Sequence, residues 1–375
     1  MTGDEAGRPV TAAFCAAVED TLTGLLRTRQ DVILLQGEAV LGLEAAARGI
    51  GGPGRRVLNV VTGPYGALLG TWLAAGGAQV TSLPAPAGRA VSVAAVESAL
   101  RAPGGYHAVV VVHAEAATGV VNPLGPLAAL GRQAGALLVV DAVASVGAEP
   151  LLIDEWGLDL VIIGPQKALG GPSGVSAAVV SPRGWDALAA NPAAPRDSIL
   201  SLLDWRDRWL RPGRGTLPAT PHHLETRALA AALDRLADGG LAAAVRRHRR
   251  ARDATRAGLR ALGLSPYVAA DDEAASVATV AVLPPAAAPG GPARLLSAAA
   301  ASSGAADDSW LIAGPAFGSL AGQAIRLNHT GPDAALAPVL ATLVYLGYAL
   351  QEAGQDADVS AALAAASARW HARSS

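Results

Sequence analysis

Lys167 is the only lysine in a chain whose lysines and arginines total 29, so every other basic position is an arginine. Arginine keeps its proton at any physiological pH, whereas a lysine amine can lose it near neutrality and condense with a carbonyl carbon. This lysine lies in GPQKALGGPSG, directly after the apolar run LDLVIIG, at a junction between a strand and a loop. Asp141 ends a second apolar run in VVDAVAS. An amine and a carboxylate are the two groups a pyridoxal ring asks of a protein. The amine meets the aldehyde carbon, and the acid keeps the ring nitrogen protonated, which makes the ring a better electron sink. An aspartate at a strand end often serves only as a turn or cap; its pairing with the sole lysine gives it the chemical reading.

The elements around these residues place both at one edge of a sheet. From residue 32 to about 182, short runs rich in Val, Ile and Leu alternate with helical segments: VILLQ then VLGLEAAARG, RVLNVV then YGALLGTWLAA, AVVVVHAE then PLGPLAALGRQAG. ALLVVDA, DLVIIGP and VSAAVVS follow as further strands. That alternation predicts an α/β fold whose mostly parallel central sheet is sandwiched by helices, with ligands at the carboxyl ends of the strands. Residues 183–220 read as irregular, and 222–262 as long helix interrupted by glycines. SVATVAVLP and AIRLNHTG read as strands of a smaller domain, AAAPGGPA as a loop, and ATLVYLGYALQEAG as a helix. The expected division is a large α/β domain over 1–240 and a small α+β carboxy-terminal domain over 241–375, with residues 367–375 frayed. No internal repeat is present.

Composition narrows the classes. A chain of 375 residues, 51% apolar, with net charge −2, reads as a globular protein with a substantial core and no nucleic-acid partner. The arginine run Arg246, Arg247, Arg249, Arg250 and Arg252 falls in a helical stretch and is expected to solvate one face. One cysteine, Cys15, excludes an internal disulfide, reads as a small residue on an amphipathic helix, and suits a reducing compartment. MTGDEAGRPV has neither the basic start nor the apolar core of an export signal, and no window reads as a membrane span, so a cytoplasmic location is expected. The seven histidines have no metal-site spacing.

HAEAATG, VDAVASVG, GLDLVIIGPQKALGGPSG and IRLNHTG, in that order, resemble the class V aminotransferases of fold type I over nearly the whole chain. The resemblance implies a homodimer with shared active sites and an internal aldimine on Lys167. It places Asp141 on the pyridinium nitrogen, Tyr65 of TGPYG on one ring face and Val143 on the other, with Ala39, Thr118 and Gln166 also about the cofactor. Arg326 would hold the substrate carboxylate, a task that suits its planar fork. His113 and Glu115 begin the loop under the ring, where His113 is as well suited to a structural as to a functional role.

Departures from the family pattern carry the narrower expectation. Glu38 of QGEAVLG stands where hydroxyl-bearing residues cradle the phosphate of pyridoxal 5′-phosphate. Like charges about 4 Å apart repel by roughly 4 kcal/mol at an effective dielectric near 20. Pro165 replaces a serine and removes an N–H donor. Thr220 matches a threonine that reaches the phosphate from the neighbouring subunit, but Leu217 stands where a tyrosine is expected, Ala116 and Ala117 replace polar residues, and Phe317 replaces a second arginine beside the carboxylate site. The Gly-Pro segment that lines the pocket in such enzymes has no counterpart at the amino terminus. The resemblance with these departures implies transfer of an amino group to or from a small keto acid, the pyruvate/alanine pair, with free pyridoxamine or pyridoxal as co-substrate and Glu38 reading the uncharged 5′-hydroxyl. The alternatives are a phosphate-dependent transaminase of the alanine and glyoxylate type, and a family member that binds without turnover.

Overall fold

The computed structural model describes residues 9–237, 239–283, 291–302 and 312–372. Nine strands form in its first part: β1 (Asp31–Leu35), β2 (Arg56–Val61), β3 (Gln79–Pro84), β4 (Ala108–Val112), β5 (Ala114–Glu115), β6 (Val120–Val121), β7 (Leu137–Asp141), β8 (Leu160–Ile163) and β9 (Ser176–Val180). Seven of them make one sheet in the order β1-β9-β8-β7-β4-β2-β3, in which β9 alone runs against its neighbours. β5 and β6 pair separately as a short hairpin.

Successive residues of these strands enter two different cores, as the period of two requires. Val109, Val111, Leu138, Val140 and Val161 face one core, packed by helices Ala12–Leu26, Leu124–Gln133 and His223–Ala237. Ala108, Val110, Leu137, Val139, Leu160 and Ile162 face the other, packed by helices Ala39–Ile50, Pro64–Ala75 and Pro182–Ala189. Burial on both faces explains the unbroken apolar runs of β4, β7 and β8. β3 was not foreseen, because QVTSLP forms an exposed edge with only Val80 and Leu83 half-covered.

The second part builds an antiparallel sheet from β10 (Ser265–Pro266), β11 (Thr279–Val282), β12 (Ala313–Pro315) and β13 (Ala324–Leu327), ordered β10-β11-β13-β12. The 22-residue helix Gly240–Ala261, about 33 Å long by its rise, packs against helices Leu336–Glu352 and Val359–His371. Its arginines divide: Arg246, Arg249 and Arg250 are exposed, while Arg247 donates to the Gly331 carbonyl and Arg252 to that of Ala274. No helix among the described residues is long and apolar enough to cross a membrane.

Three local expectations change. The end of the chain does not fray at 367; the helix capped by Asp358 runs to His371, anchored by buried Ala362 and Ala366. Of AAAPGGPA, residues 286–290 lie outside the described residues and 291–293 open helix Gly291–Ser302. The segment 183–220 is not wholly irregular. It holds helices Pro182–Ala189 and Leu202–Trp205 and a π-helical turn Arg206–Leu210, because its tryptophans are core residues. Trp185 donates to Asp31, and fully buried Trp209 donates at 3.0 Å to both oxygens of Glu19.

Glu19 is 1% exposed and also accepts from the Leu34 amide. Burial pushes its carboxyl from 4.5 up to about 7, against the opposing hydrogen bonds from Leu34 and Trp209 and the charge of Arg214. The fold therefore prefers the neutral acid. Glu19 contributes full stability below pH 4.5 and loses it as pH rises through 7, a change of about 3 kcal/mol. Glu19→Gln stays neutral, so its stability relative to wild type should climb by that order between pH 4.5 and pH 8, read from urea midpoints at the two pH values.

Candidate active site

Four side chains reach one cavity from the carboxyl ends of strands in the large sheet. Asp141 is the last residue of β7, and Lys167 stands in the turn after β8, closed by Gly170 N–H to the Lys167 carbonyl (3.0 Å) and Gly171 N–H to that of Pro165 (2.8 Å). Glu38 follows β1 as the N-cap of helix Ala39–Ile50, accepting from the Val40 amide at 2.7 Å. Tyr65 follows β2 in the first turn of helix Pro64–Ala75, its ring centroid 5.3 Å from the Lys167 amine. Ala39, Ala114, Val143 and Ala144 add apolar walls.

β13 brings Arg326 to the same region. Its guanidinium lies 4.8 Å over the Phe317 ring, which meets the Tyr65 ring edge-on at 6.1 Å. The buried Nε of Arg326 has no hydrogen-bond partner among the described residues. Gln166 donates to Glu38 at 2.6 Å, leaving its own buried carbonyl oxygen unpartnered. Thr118 and Thr220 are not brought to this cavity: the Thr118 hydroxyl donates to the carbonyls of Thr62 and Glu115, and Thr220 is exposed.

Burial governs the charges. It lowers the Lys167 ammonium, opposed by the nearby Asp141, Glu115 and Glu38 carboxylates and reinforced by Arg326. Asp141 is raised from 3.8 to about 6 by burial, against the pull of Lys167 and of the Val143 amide that it accepts at 2.9 Å. Glu115 is raised from 4.5 to about 7 by burial and then by Asp141. Burial also lowers Arg326, and Tyr65 is raised by burial and then by Glu115. His113 is held neutral, lowered to about 3 by burial, and packs edge-on against Trp156 at 6.3 Å. The arrangement keeps an amine, an acid and an aromatic face in a largely buried site, where charge interactions act strongly.

Residues 11–292 match the family described as aminotransferase class-V. The chain belongs to the class V aminotransferases. It is 35% identical over 349 residues to the pyridoxamine–pyruvate transaminase of Mesorhizobium japonicum, spanning 93% of this chain and 86% of that one. The crystal structure of pyridoxamine-pyruvate aminotransferase from Mesorhizobium loti superposes with a TM-score of 0.89 at 33% identity, covering 98% of this chain and 92% of the other. The alanine–glyoxylate aminotransferase of Nostoc gives 0.81 at 26% identity, covering 92% and 90%. The enzyme thus has the fold of the fold type I aminotransferases, a mostly parallel sheet between helices with a small second sheet.

The site of this aminotransferase fits a pyridine ring and not a dianionic phosphate. An amine, an acid and the Tyr65 face are present, but the helix N-terminus where amide N–H groups would attract a phosphate is already filled by the Glu38 carboxylate. Pro165 offers no N–H, and the Gln166 amide is already spent on Glu38. The residue whose part was not read from the sequence is Glu115, wholly buried beneath Tyr65. An acid isolated among the alanines of HAEAATG was the available signal. Borohydride treatment in the presence of pyridoxal should attach the vitamer to the peptide that contains Lys167, and Lys167→Arg, which keeps the charge, should abolish the attachment in a mass-spectrometric peptide map.

Proposed function

We propose that the enzyme moves an amino group between free pyridoxamine or pyridoxal and a small 2-oxo acid, pyruvate, with alanine as its amino counterpart. The observation that carries this reading is the Glu38 carboxylate bonded into the first turn of helix Ala39–Ile50, the place a phosphate would occupy. Likeness to pyridoxamine–pyruvate transaminase along 93% of the chain supports it.

A bound B6 ring supplies the carbon that exchanges the amino group and an electron sink for the bond that breaks. Residues 1–240 hold that ring: Asp141 keeps its nitrogen protonated, Tyr65 and Val143 take its two faces, and Glu38, with Ala39 and Gln166 beside it, accepts from the 5′-hydroxyl. Lys167 Nζ, lowered by burial, takes and returns the proton that moves during transfer, acting as base and then acid. Arg326, from residues 241–375, receives the carboxylate; its unpartnered Nε is the free donor. Phe317 lies under the guanidinium and leaves the acceptor side with one cation. Thr220, exposed in a single chain, is available to a partner copy, so the working unit is a homodimer with shared sites. A cytoplasmic location accords with the single unpaired Cys15, which is buried.

The decisive assay runs pyridoxamine with pyruvate beside alanine with glyoxylate and added pyridoxal 5′-phosphate. Pyridoxal should form in the first vessel; product in the second vessel alone would instead make the enzyme a phosphate-dependent alanine–glyoxylate type. Glu38→Ala should raise affinity for pyridoxal 5′-phosphate by at least about tenfold, since it removes a like charge worth several kcal/mol at close range, with the bound fraction read from absorbance after gel filtration. With pyruvate and 2-oxoglutarate compared by kcat/KM, the second carboxylate finds no cation, so 2-oxoglutarate should be disfavoured by about 100-fold or more, and Phe317→Arg should narrow that ratio.

A further inference from the structure

Glu115 is 0% exposed, yet its carboxylate has no task in the transfer reaction as drawn. One oxygen accepts from the backbone amides of Tyr65 (3.2 Å) and Gly66 (3.4 Å), the first turn of helix Pro64–Ala75; the other accepts from Ala117 (3.4 Å) in its own loop. Its side chain lies where a Cβ on Gly63 would fall, 2.5 Å from the Glu115 carboxyl carbon, so the glycine makes room for the acid. The same loop is tied to the end of β2 a second time by Thr118, which donates to the Thr62 carbonyl at 3.3 Å. Asn122 donates to the Thr62 hydroxyl at 3.0 Å and to the Val112 carbonyl at 2.8 Å.

These bonds converge on the element that presents Tyr65. A buried acid that accepts three backbone N–H groups costs several kcal/mol to desolvate, and its bonds here are long. An apolar residue would fill the space without that cost but would leave the three amides unbonded, so the acid at 115 has a purpose beyond filling space. Its surroundings supply one: Lys167 is faced by the acids Asp141, Glu115 and Glu38, each of which favours the ammonium when ionised, by Arg326 as a cation, and by the Tyr65 ring.

We propose that Glu115 is a positioning residue, clasping the Tyr65 turn to the loop under the ring and so holding the aromatic face and an ionisable acid against Lys167. This rests on the reading of Tyr65 and Lys167 as the ring site, and the experiment separates the two claims. Because Lys167 is the only lysine, its acylation by acetic anhydride as a function of pH, followed on its own tryptic peptide, reports its protonation with no vitamer present. Glu115→Gln keeps an oxygen for Tyr65 and Gly66 but removes the charge. Its acylation midpoint should fall by at least about half a pH unit, while KM for pyridoxamine stays within about twofold. Glu115→Ala removes both. Its midpoint should fall similarly, and its KM should rise about tenfold with kcat changed far less, the mark of lost ring binding.

Thermal melting of each variant establishes that it is folded. An acylation midpoint unmoved in Glu115→Gln, or a pyridoxamine KM unmoved in a folded Glu115→Ala, overturns the proposal. Should wild type fail to turn over pyridoxamine, the functional reading falls and the acylation profile alone judges Glu115. Should Glu115→Ala not fold, the shift in Glu115→Gln decides.

Discussion

A buried amine and a buried acid at the adjacent ends of β7 and β8 each offset part of the other's loss of charge, and the rest of the site is arranged around that constraint. Lys167 and Asp141 are each pushed by burial toward neutrality, and each opposes the other's shift. Both line the same small cavity, with Tyr65, Glu38 and Val143. Parallel pairing of β7 with β8 sets this spacing: Asp141 lies opposite Ile162, and the chain needs only the short turn from 164 to place the amine. Rigid strands buried on both faces hold the pair more firmly than loops could.

The second organising feature is the use of a helix N-terminus. Such an end attracts anions, and helix Ala39–Ile50 has taken its anion from its own chain. The Glu38 carboxylate is bonded on one side to the amide of Val40, the second residue of the helix, and on the other to the side-chain amide of Gln166, one residue before Lys167. A negative charge therefore replaces an anion-binding cup beside the reactive lysine.

The small sheet completes the site by contact as well as by Arg326. β13 leads through Asn328 and His329 to Gly331, whose φ of +54° favours glycine and which abuts Gly170 of the lysine turn. His248 accepts from the Gly331 amide at 3.0 Å and is bonded through its other ring nitrogen to the Ala244 carbonyl at 2.7 Å, so it is a neutral, fixed imidazole, lowered to about 4 chiefly by burial. The strand that carries the guanidinium and the turn that carries the amine are thereby packed as neighbours. Arg326 itself stacks on Phe317, and its Nε has no hydrogen-bond partner among the described residues.

The succession of strands and helices and the candidates Lys167 and Asp141 were legible along the chain, because apolar periodicity and residue type are local properties, whereas the parts given to Glu38 and Arg326 came from the family resemblance. β3 was not legible, since an edge strand covered on one side carries little apolar signal, and neither was the helix to His371, whose alanines acquire meaning only against helix Gly240–Ala261. The bonds from Tyr65 to Glu115 join residues 50 apart, and the contact of the Arg326 guanidinium with Phe317, whose ring meets Tyr65 edge-on, joins segments far apart along the chain. Sequence alone determined which groups could react, for amines, carboxylates and guanidinium forks carry their chemistry wherever they sit. Tertiary structure decided which of them face one another, and how far burial moves their protons, because desolvation and Coulomb energy depend on distances that no spacing along the chain contains.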